Sequence, residues 1–72
     1  MDICRVIGTN AKTLRKSLDL TQEQVAVLIE STQQYVSELE AGTRNPTALS
    51  ILALAKAFGT TPAYLVTEHR QI

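Results

Sequence analysis

The segment TQEQVAVLIESTQQYVSELEAG, residues 21–42, decides the fold. Thr21 followed three positions later by Gln24 is typical of a capping box, so we expect a helix to begin there. Thr32 is a candidate N-cap for a further helix over residues 33–41, and Gly42 supplies a stop at its C-terminus. The segment therefore predicts two short helices with a tight polar break between them.

The chain before this segment predicts one longer helix. Its apolar residues recur at the spacing of a single helix face, from about Ile3 to Leu18. Gly8 inside that stretch costs on the order of 1 kcal/mol relative to alanine, which favours a start nearer Thr9, with Asp2 or Thr9 as the cap. The residues that define the apolar face are Ile3, Ile7, Ala11, Leu14 and Leu18.

Two more helices are expected after residue 42. Thr47 is a candidate cap for a helix over residues 48–58, and Gly59 is suited to end it. Thr61 precedes a proline at the first helical position, which predicts a short helix over residues 62–66. Residues 67–72 are expected to fray.

No stretch alternates as a strand does, so the predicted fold is all-α with five helices. At 72 residues the chain has room for one small domain, 1–72, with its core in about residues 7–66. The second and third helices are too short to bury themselves, so they must be clamped by the helices on either side. That is a helix-turn-helix arrangement over residues 21–42.

The helical period also predicts which side chains face the core. Arg15 falls on the inward face of the first helix and Glu40 on the inward face of the third, and a charge placed there needs a partner. The inward apolar residues are expected to be Val25, Leu28 and Ile29 in the second helix, Val36 and Leu39 in the third, and Ala48, Ile51, Leu54, Ala55 and Phe58 in the fourth.

Composition excludes several classes of function. A single cysteine, Cys4, rules out an internal disulfide framework, and Cys4 with His69 does not make a metal site. The chain carries no pairing of a nucleophile with a base and no phosphate-binding glycine loop, so we expect neither an enzyme nor a bound cofactor. It also lacks the apolar run of a spanning helix and the pattern of a signal peptide, which favours a cytoplasmic protein without membrane contact.

Three segments together resemble the lambda-repressor and Cro family of helix-turn-helix domains, also called the XRE family. They are LTQEQVA at residues 20–26, TQQYVSELE at residues 32–40, and GTRNP at residues 42–46 followed by AKAFG at residues 55–59. The resemblance extends over about residues 7–66. It implies a sequence-specific regulator of transcription that binds double-stranded DNA, encoded by a bacterium or a phage.

The same resemblance implies roles for individual residues. The third helix would lie in the major groove, with Gln33, Gln34, Tyr35 and Glu38 at base edges, while the second helix crosses the DNA backbone. A glutamine amide matches adenine and a carboxylate can accept from the cytosine amine; the alternative is that these residues are ordinary solvated side chains. The candidate backbone contacts are Gln22, Thr32, Ser37, Arg44, Lys12 and Lys16, although for the two lysines a solvated helix face is the favoured interpretation.

The resemblance also pairs Arg15 with Glu40 as a partly buried salt bridge between the first and third helices. Two features depart from the family pattern. Glu30 occupies a turn position that usually holds glycine, where a positive φ is expected. The formal net charge is zero, so we expect modest, strongly salt-dependent DNA affinity that relies on dimerisation.

A homodimer would place two recognition helices one turn apart on a pseudo-palindromic operator. Leu49 and Leu52 lie beside the core stripe of the fourth helix and the fifth helix carries Tyr64, Leu65 and Val66, and some of these exceed what the small core can bury. The fifth helix and the C-terminal residues are the expected dimer surface, and packing into the core is the alternative. A different function also stays open. Domains of this kind can act as antitoxins or co-regulators that hold a partner protein, here through the fourth and fifth helices.

Overall fold

Five helices form the chain in a computed structural model that describes residues 1–69. They are α1 (Ile3–Ser17), α2 (Gln22–Leu28), α3 (Gln33–Glu40), α4 (Ala48–Phe58) and α5 (Pro62–Val66). The described residues contain no strand, and the all-helical prediction is confirmed. Of the predicted fraying tail, residues 70–72 lie outside the described part of the chain.

Threonine hydroxyls begin four of the helices. Each accepts a hydrogen bond from the backbone N–H three residues further on, which satisfies one of the amides that a helix start leaves free. At α2 the capping box is complete, because the Thr21 N–H also donates to Gln24 Oε1 at 2.8 Å. The capping threonines are Thr21, Thr32, Thr47 and Thr61.

The start of α1 follows one of the two alternatives left open by the sequence, a helix from about Ile3 with Asp2 as its cap. Asp2 caps the helix by accepting from the N–H groups of Cys4 and Arg5, and the helix runs through Gly8 without a break. A Cβ at Gly8 would lie 2.3 Å from the Leu39 carbonyl oxygen, so α1 approaches the end of α3 at backbone distance. The later start near Thr9 was therefore wrong, because the glycine serves close packing between helices.

The buried core joins all five helices. α2 and α3 pack against each other, α1 packs against α3, and α4 packs against α2, so the two short helices are held from both sides as predicted. α5 packs against α1 and α4. Leu39 and Leu54 have no exposed surface, and Leu65 of α5 is equally buried. The core consists of Ile7, Ala11, Val25, Ala26, Val36, Leu39, Leu54, Ala55, Phe58 and Leu65, with Leu14, Leu20, Ile29, Ile51 and Val66 packed against it.

Some residues that were expected to face inward are exposed. Leu28 is 54% exposed, because it lies about 100° around the helix from the centre of the face formed by Val25, Ala26 and Ile29. Ala48 is exposed because it opens α4 one turn before the buried stripe begins. The two ends of the α1 stripe, Ile3 and Leu18, are exposed as well.

Helices α1 to α4 all end in the same reversal. A residue with positive φ follows each helix, and the next N–H donates back to a carbonyl five positions earlier, as from Ser31 to Ala26 at 2.8 Å. Gly42 and Gly59 fill this position after α3 and α4, but Asp19 (φ 56°) and Glu30 (φ 54°) fill it after α1 and α2. The expectation of a positive φ at Glu30 is thus met, whereas Asp19 was not foreseen.

Replacing Glu30 with glycine should raise the free energy of unfolding by about 0.5–1 kcal/mol, since glycine enters the left-handed region without the Cβ penalty. Asp19→Gly is the matched comparison, and its gain should be smaller because aspartate tolerates this region better than glutamate. Urea denaturation of both variants measures the difference. No gain, or a loss, at residue 30 would contradict strain at Glu30, and equal gains would contradict the expected difference between glutamate and aspartate.

Candidate nucleic-acid interface

The exposed surface of α3 begins directly after the turn from α2. Thr32 accepts from the Tyr35 N–H at 3.1 Å and thereby fixes the first turn of the helix. Val36 and Leu39 point into the core, which leaves Gln33, Gln34 and Ser37 exposed. The predicted division of this helix into a buried side and a polar side is therefore present.

A bidentate ion pair anchors the other end of α3 to α1. Arg15 Nε lies 2.6 Å from Glu40 Oε2, and Arg15 Nη2 lies 3.0 Å from Glu40 Oε1. The third arm of the guanidinium donates to the Leu20 carbonyl oxygen at 2.8 Å, at the start of the segment leading to α2. Only 12% of the Arg15 side chain and 4% of the Glu40 side chain are exposed. The predicted inward pairing of the two charges is met in the structure.

The hydrogen bonds that Arg15 donates to the Glu40 carboxylate raise the pKa of its guanidinium, and burial offsets part of that rise. A raised pKa means that the stabilisation is present below the ordinary arginine range and is lost only as pH rises through the folded-state value. Arginine is charged at any pH at which proteins are ordinarily handled. Arg15 therefore makes no contribution to pH dependence in the neutral range.

A row of hydrogen bonds leads from this buried pair to the exposed start of α3. Gln22 Nε2 donates to Glu40 Oε1 at 3.1 Å, and Gln33 Nε2 donates to Gln22 Oε1 at 2.7 Å. Gln22, the first residue of α2, is thus oriented by the scaffold and itself orients Gln33. The free oxygen of the Gln33 amide remains available as an acceptor.

A second cluster surrounds Glu38 on the same helix. Gln34 Nε2 donates to Glu38 Oε2 at 3.3 Å, and Arg44 Nη1 lies 3.4 Å from Glu38 Oε1. The Arg44 guanidinium carbon also stands 4.9 Å from the centre of the Tyr35 ring, in cation–π contact. Glu38 therefore balances the charge of Arg44, and three of the predicted base-reading residues meet at one place.

The Tyr35 hydroxyl is buried and has no hydrogen-bond partner within residues 1–69. In this conformation it is directed away from solvent, so a base contact by the hydroxyl requires the side chain to rotate. The base-contacting role of Tyr35 remains a prediction.

The lysines assigned to the DNA backbone are separate from these clusters. Lys12 and Lys16 are exposed on α1 and form no ion pair within the described residues. Ser37 is likewise exposed, one residue before Glu38. Their predicted backbone contacts remain predictions.

One structural residue was missed by the sequence analysis. Asn10 is buried, and its Nδ2 group lies 3.3, 2.9 and 2.8 Å from the carbonyl oxygens of Tyr64, Leu65 and Thr67. It therefore caps the C-terminal end of α5 and ties that helix to α1. Its position between Ile7 and Leu14 on the inward face was the available signal, because a polar residue there must find buried partners.

Residues 1–69 contain no group of three or more His, Cys, Asp or Glu side chains that could hold a metal ion. None of their helices is long and apolar enough to cross a membrane.

The model of a family described as helix-turn-helix matches residues 12–65. The chain belongs to the XRE/Cro-type helix-turn-helix family. The matched region contains the turn, α3 and both polar clusters, so the predicted family membership is confirmed. The activity shown for this family is DNA-binding regulation of transcription.

Individual proteins agree with this assignment. The chain is 43% identical over 67 residues to the uncharacterized HTH-type transcriptional regulator y4dJ of Sinorhizobium fredii, a match that covers 93% of this chain and 87% of that protein. It is 33% identical over 68 residues to the control protein C.SmaI of Serratia marcescens, covering 94% and 81% respectively. Among solved structures, the restriction-modification controller protein C.AhdI from Aeromonas hydrophila superimposes with a TM-score of 0.82 at 34% identity, covering 86% of this chain and 94% of that chain.

Removing the carboxylate in Glu40→Ala should lower the free energy of unfolding by about 3–5 kcal/mol, since Arg15 would be left as an unpaired charge in a largely buried place. Glu23→Ala is the control, because Glu23 is exposed at the start of α2. Thermal and urea melts of both variants provide the measurement. A Glu40→Ala protein that melts with the wild type would refute a stabilising role for the pair.

Proposed function

We propose that this regulator inserts α3 into the major groove of double-stranded DNA and reads sequence with the start of that helix. The observation that carries the proposal is the exposed pair Gln33 and Gln34 directly after the turn, on a helix whose far end is fixed by the buried ion pair of Glu40. Rigid placement of this kind is what direct reading of base edges requires.

The two glutamines differ in what they can offer a base. The Gln33 amide nitrogen is occupied by Gln22, so its oxygen is the free group and favours a base-edge donor. Gln34 donates its amide N–H to Glu38 on the same face of the helix. Once that hydrogen bond opens, the amide can donate to and accept from the complementary groups that adenine presents in the major groove. Glu38 is suited to accept from the cytosine amine.

The backbone contacts are proposed around this edge. Gln22 and Thr32 lie at the starts of α2 and α3, where free backbone amides favour a phosphate. Ser37 and Arg44 flank the reading edge on the other side, and Lys12 and Lys16 would extend the contact along α1 if they approach the duplex. With seven basic and seven acidic side chains, such contacts must be local, so the affinity should fall steeply with salt.

We further propose that the protein works as a homodimer on a pseudo-palindromic operator in the cytoplasm, with a repressor-like action by occupancy. Leu65 is buried and Val66 packs on the core, which removes them from the expected dimer surface. Leu49 is 78% exposed on the side of α4 opposite the core, and Leu52 is 48% exposed one turn later. These two leucines, with the partly exposed Tyr64, are the proposed contact between two copies.

The relatives support a role in transcription control, because C.SmaI is described as a control protein and C.AhdI as a restriction-modification controller. The exposed leucines of α4 also favour a second candidate, a module that holds a partner protein through α4 and α5. The two candidates differ in what α3 does: DNA reading requires its polar side chains, whereas a partner-binding module should tolerate their replacement.

Selection from a random duplex pool at two salt concentrations tests the DNA-reading function. The wild type should enrich one pseudo-palindromic sequence, and Gln34→Ala should bind that duplex roughly 5- to 150-fold more weakly, the range of one bidentate base contact. Thr13→Ala, on the exposed side of α1, is the control and should bind as the wild type does. No enrichment together with unchanged binding of Gln34→Ala would refute sequence-specific reading.

The dimer is tested by mass measurements over a range of concentrations. Leu49→Glu should shift the equilibrium to monomer and weaken operator binding, because it places a charge in an apolar contact. Val27→Glu is a closely matched control for the mass measurement, since Val27 is 77% exposed on α2 and outside the proposed contact. A monomer mass that is independent of concentration, with and without operator, would contradict the proposed dimer.

A further inference from the structure

Glu38 holds two proposed DNA-contacting residues at the same time. Its Oε2 accepts from the Gln34 amide at 3.3 Å, and its Oε1 faces Arg44 Nη1 at 3.4 Å. We propose that Glu38 is a specificity-determining gate, which keeps Gln34 and Arg44 from DNA until a base edge supplies a hydrogen-bond donor in their place. The inference rests on the proposed function and deepens it.

The arrangement is fixed from both sides. Gln34 lies one helical turn before Glu38, so the two side chains share one face of α3. In the loop after α3, the Thr43 N–H and hydroxyl both donate to the Glu38 carbonyl oxygen, at 3.1 and 3.2 Å. Arg44 is thereby held close to the carboxylate, and its contact with the Tyr35 ring adds a second restraint.

The carboxylate competes with DNA for both partners. A phosphate that approaches Arg44 must replace an anion already in place, and a base that approaches Gln34 must replace Glu38 Oε2. When the base edge offers an amine, as cytosine does in the major groove, the carboxylate keeps a donor while Gln34 and Arg44 are released. When the base edge offers only acceptors, releasing Gln34 and Arg44 leaves the Glu38 carboxylate unpaired and facing other acceptors. The free energy of binding to such a sequence is therefore less favourable.

The exposure of the pair sets the size of the effect. About half of the Arg44 side chain and 38% of the Glu38 side chain are exposed, so the ion pair is weak in water. Removing it should tighten binding to DNA without the matching base by only about two- to fivefold. The penalty inside a formed interface is larger, because an unpaired carboxylate there is also shielded from water.

The experiment compares Glu38→Gln with the wild type on two duplexes, the sequence enriched from the random pool and a shuffled sequence of the same composition. Glutamine keeps the size of the side chain and removes its charge. Binding to the shuffled duplex should tighten two- to fivefold, and its log affinity should fall more steeply with log salt by about 0.9, because Arg44 gains one phosphate contact. The preference for the enriched duplex should fall at least about fivefold.

Two further variants separate the gate from a general loss of negative charge. Glu23→Gln removes the same charge from an exposed place on α2 and should leave the preference unchanged. In an Arg44→Ala background, Glu38→Gln should no longer steepen the salt dependence of binding to the shuffled duplex, since the cation that gains the phosphate contact is absent.

The inference is overturned if Glu38→Gln and Glu23→Gln act alike on both duplexes, or if the steeper salt dependence persists without Arg44. The inference is also overturned if the wild type prefers the enriched duplex and Glu38→Gln keeps that preference in full. In that case the proposed DNA-reading function is still supported. If the wild type shows no preference between the duplexes, the proposed function fails, and the gate fails with it.

Discussion

The bidentate pair of Arg15 and Glu40 is the interaction on which the rest of the structure depends. It joins α1 to the end of α3 and uses its remaining arm to hold the Leu20 carbonyl oxygen at the approach to α2. Gly8 permits the same two helices to meet at backbone distance a little further along. Because the core is small, these contacts fix the orientation of α3 relative to α1. Without them, the turn between α2 and α3 would be left to set that orientation.

Side-chain hydrogen bonds connect the Arg15–Glu40 pair to the exposed start of α3. Glu40 orients Gln22 by a hydrogen bond, and Gln22 in turn orients Gln33. The position of the first exposed side chain of α3 therefore depends on the buried carboxylate of Glu40. Glu38 and its partners Gln34 and Arg44 form a second, more solvent-exposed cluster on the same helix. One end of the proposed reading edge is therefore firmly placed, while the other can exchange its partners when a duplex approaches.

Much of the fold follows from the sequence, because caps and helical period are local signals. The threonine caps and the bounds of α4 and α5 are set by residues within a turn of each helix end. The alternative start of α1 near Thr9 was wrong, since Gly8 is explained by its close approach to Leu39, which is distant in sequence. The hydrogen bonds of Gln22 and of Asn10 join different helices, so helical spacing alone does not determine them. The polar side of α3 was predictable from the sequence, whereas the hydrogen bonds and the ion pair that its side chains form were not.

The central claim is that the polar start of α3 is the DNA-reading surface and α4 is not. Side-chain amide signals of Gln33 and Gln34, followed by nuclear magnetic resonance while the enriched duplex is added, test it most directly. We expect both amides and the Arg44 loop to shift strongly, with the signals of Gln22 following and the scaffold pair unchanged. Shifts concentrated around Leu49 and Leu52, with the glutamine amides unmoved, would contradict the account.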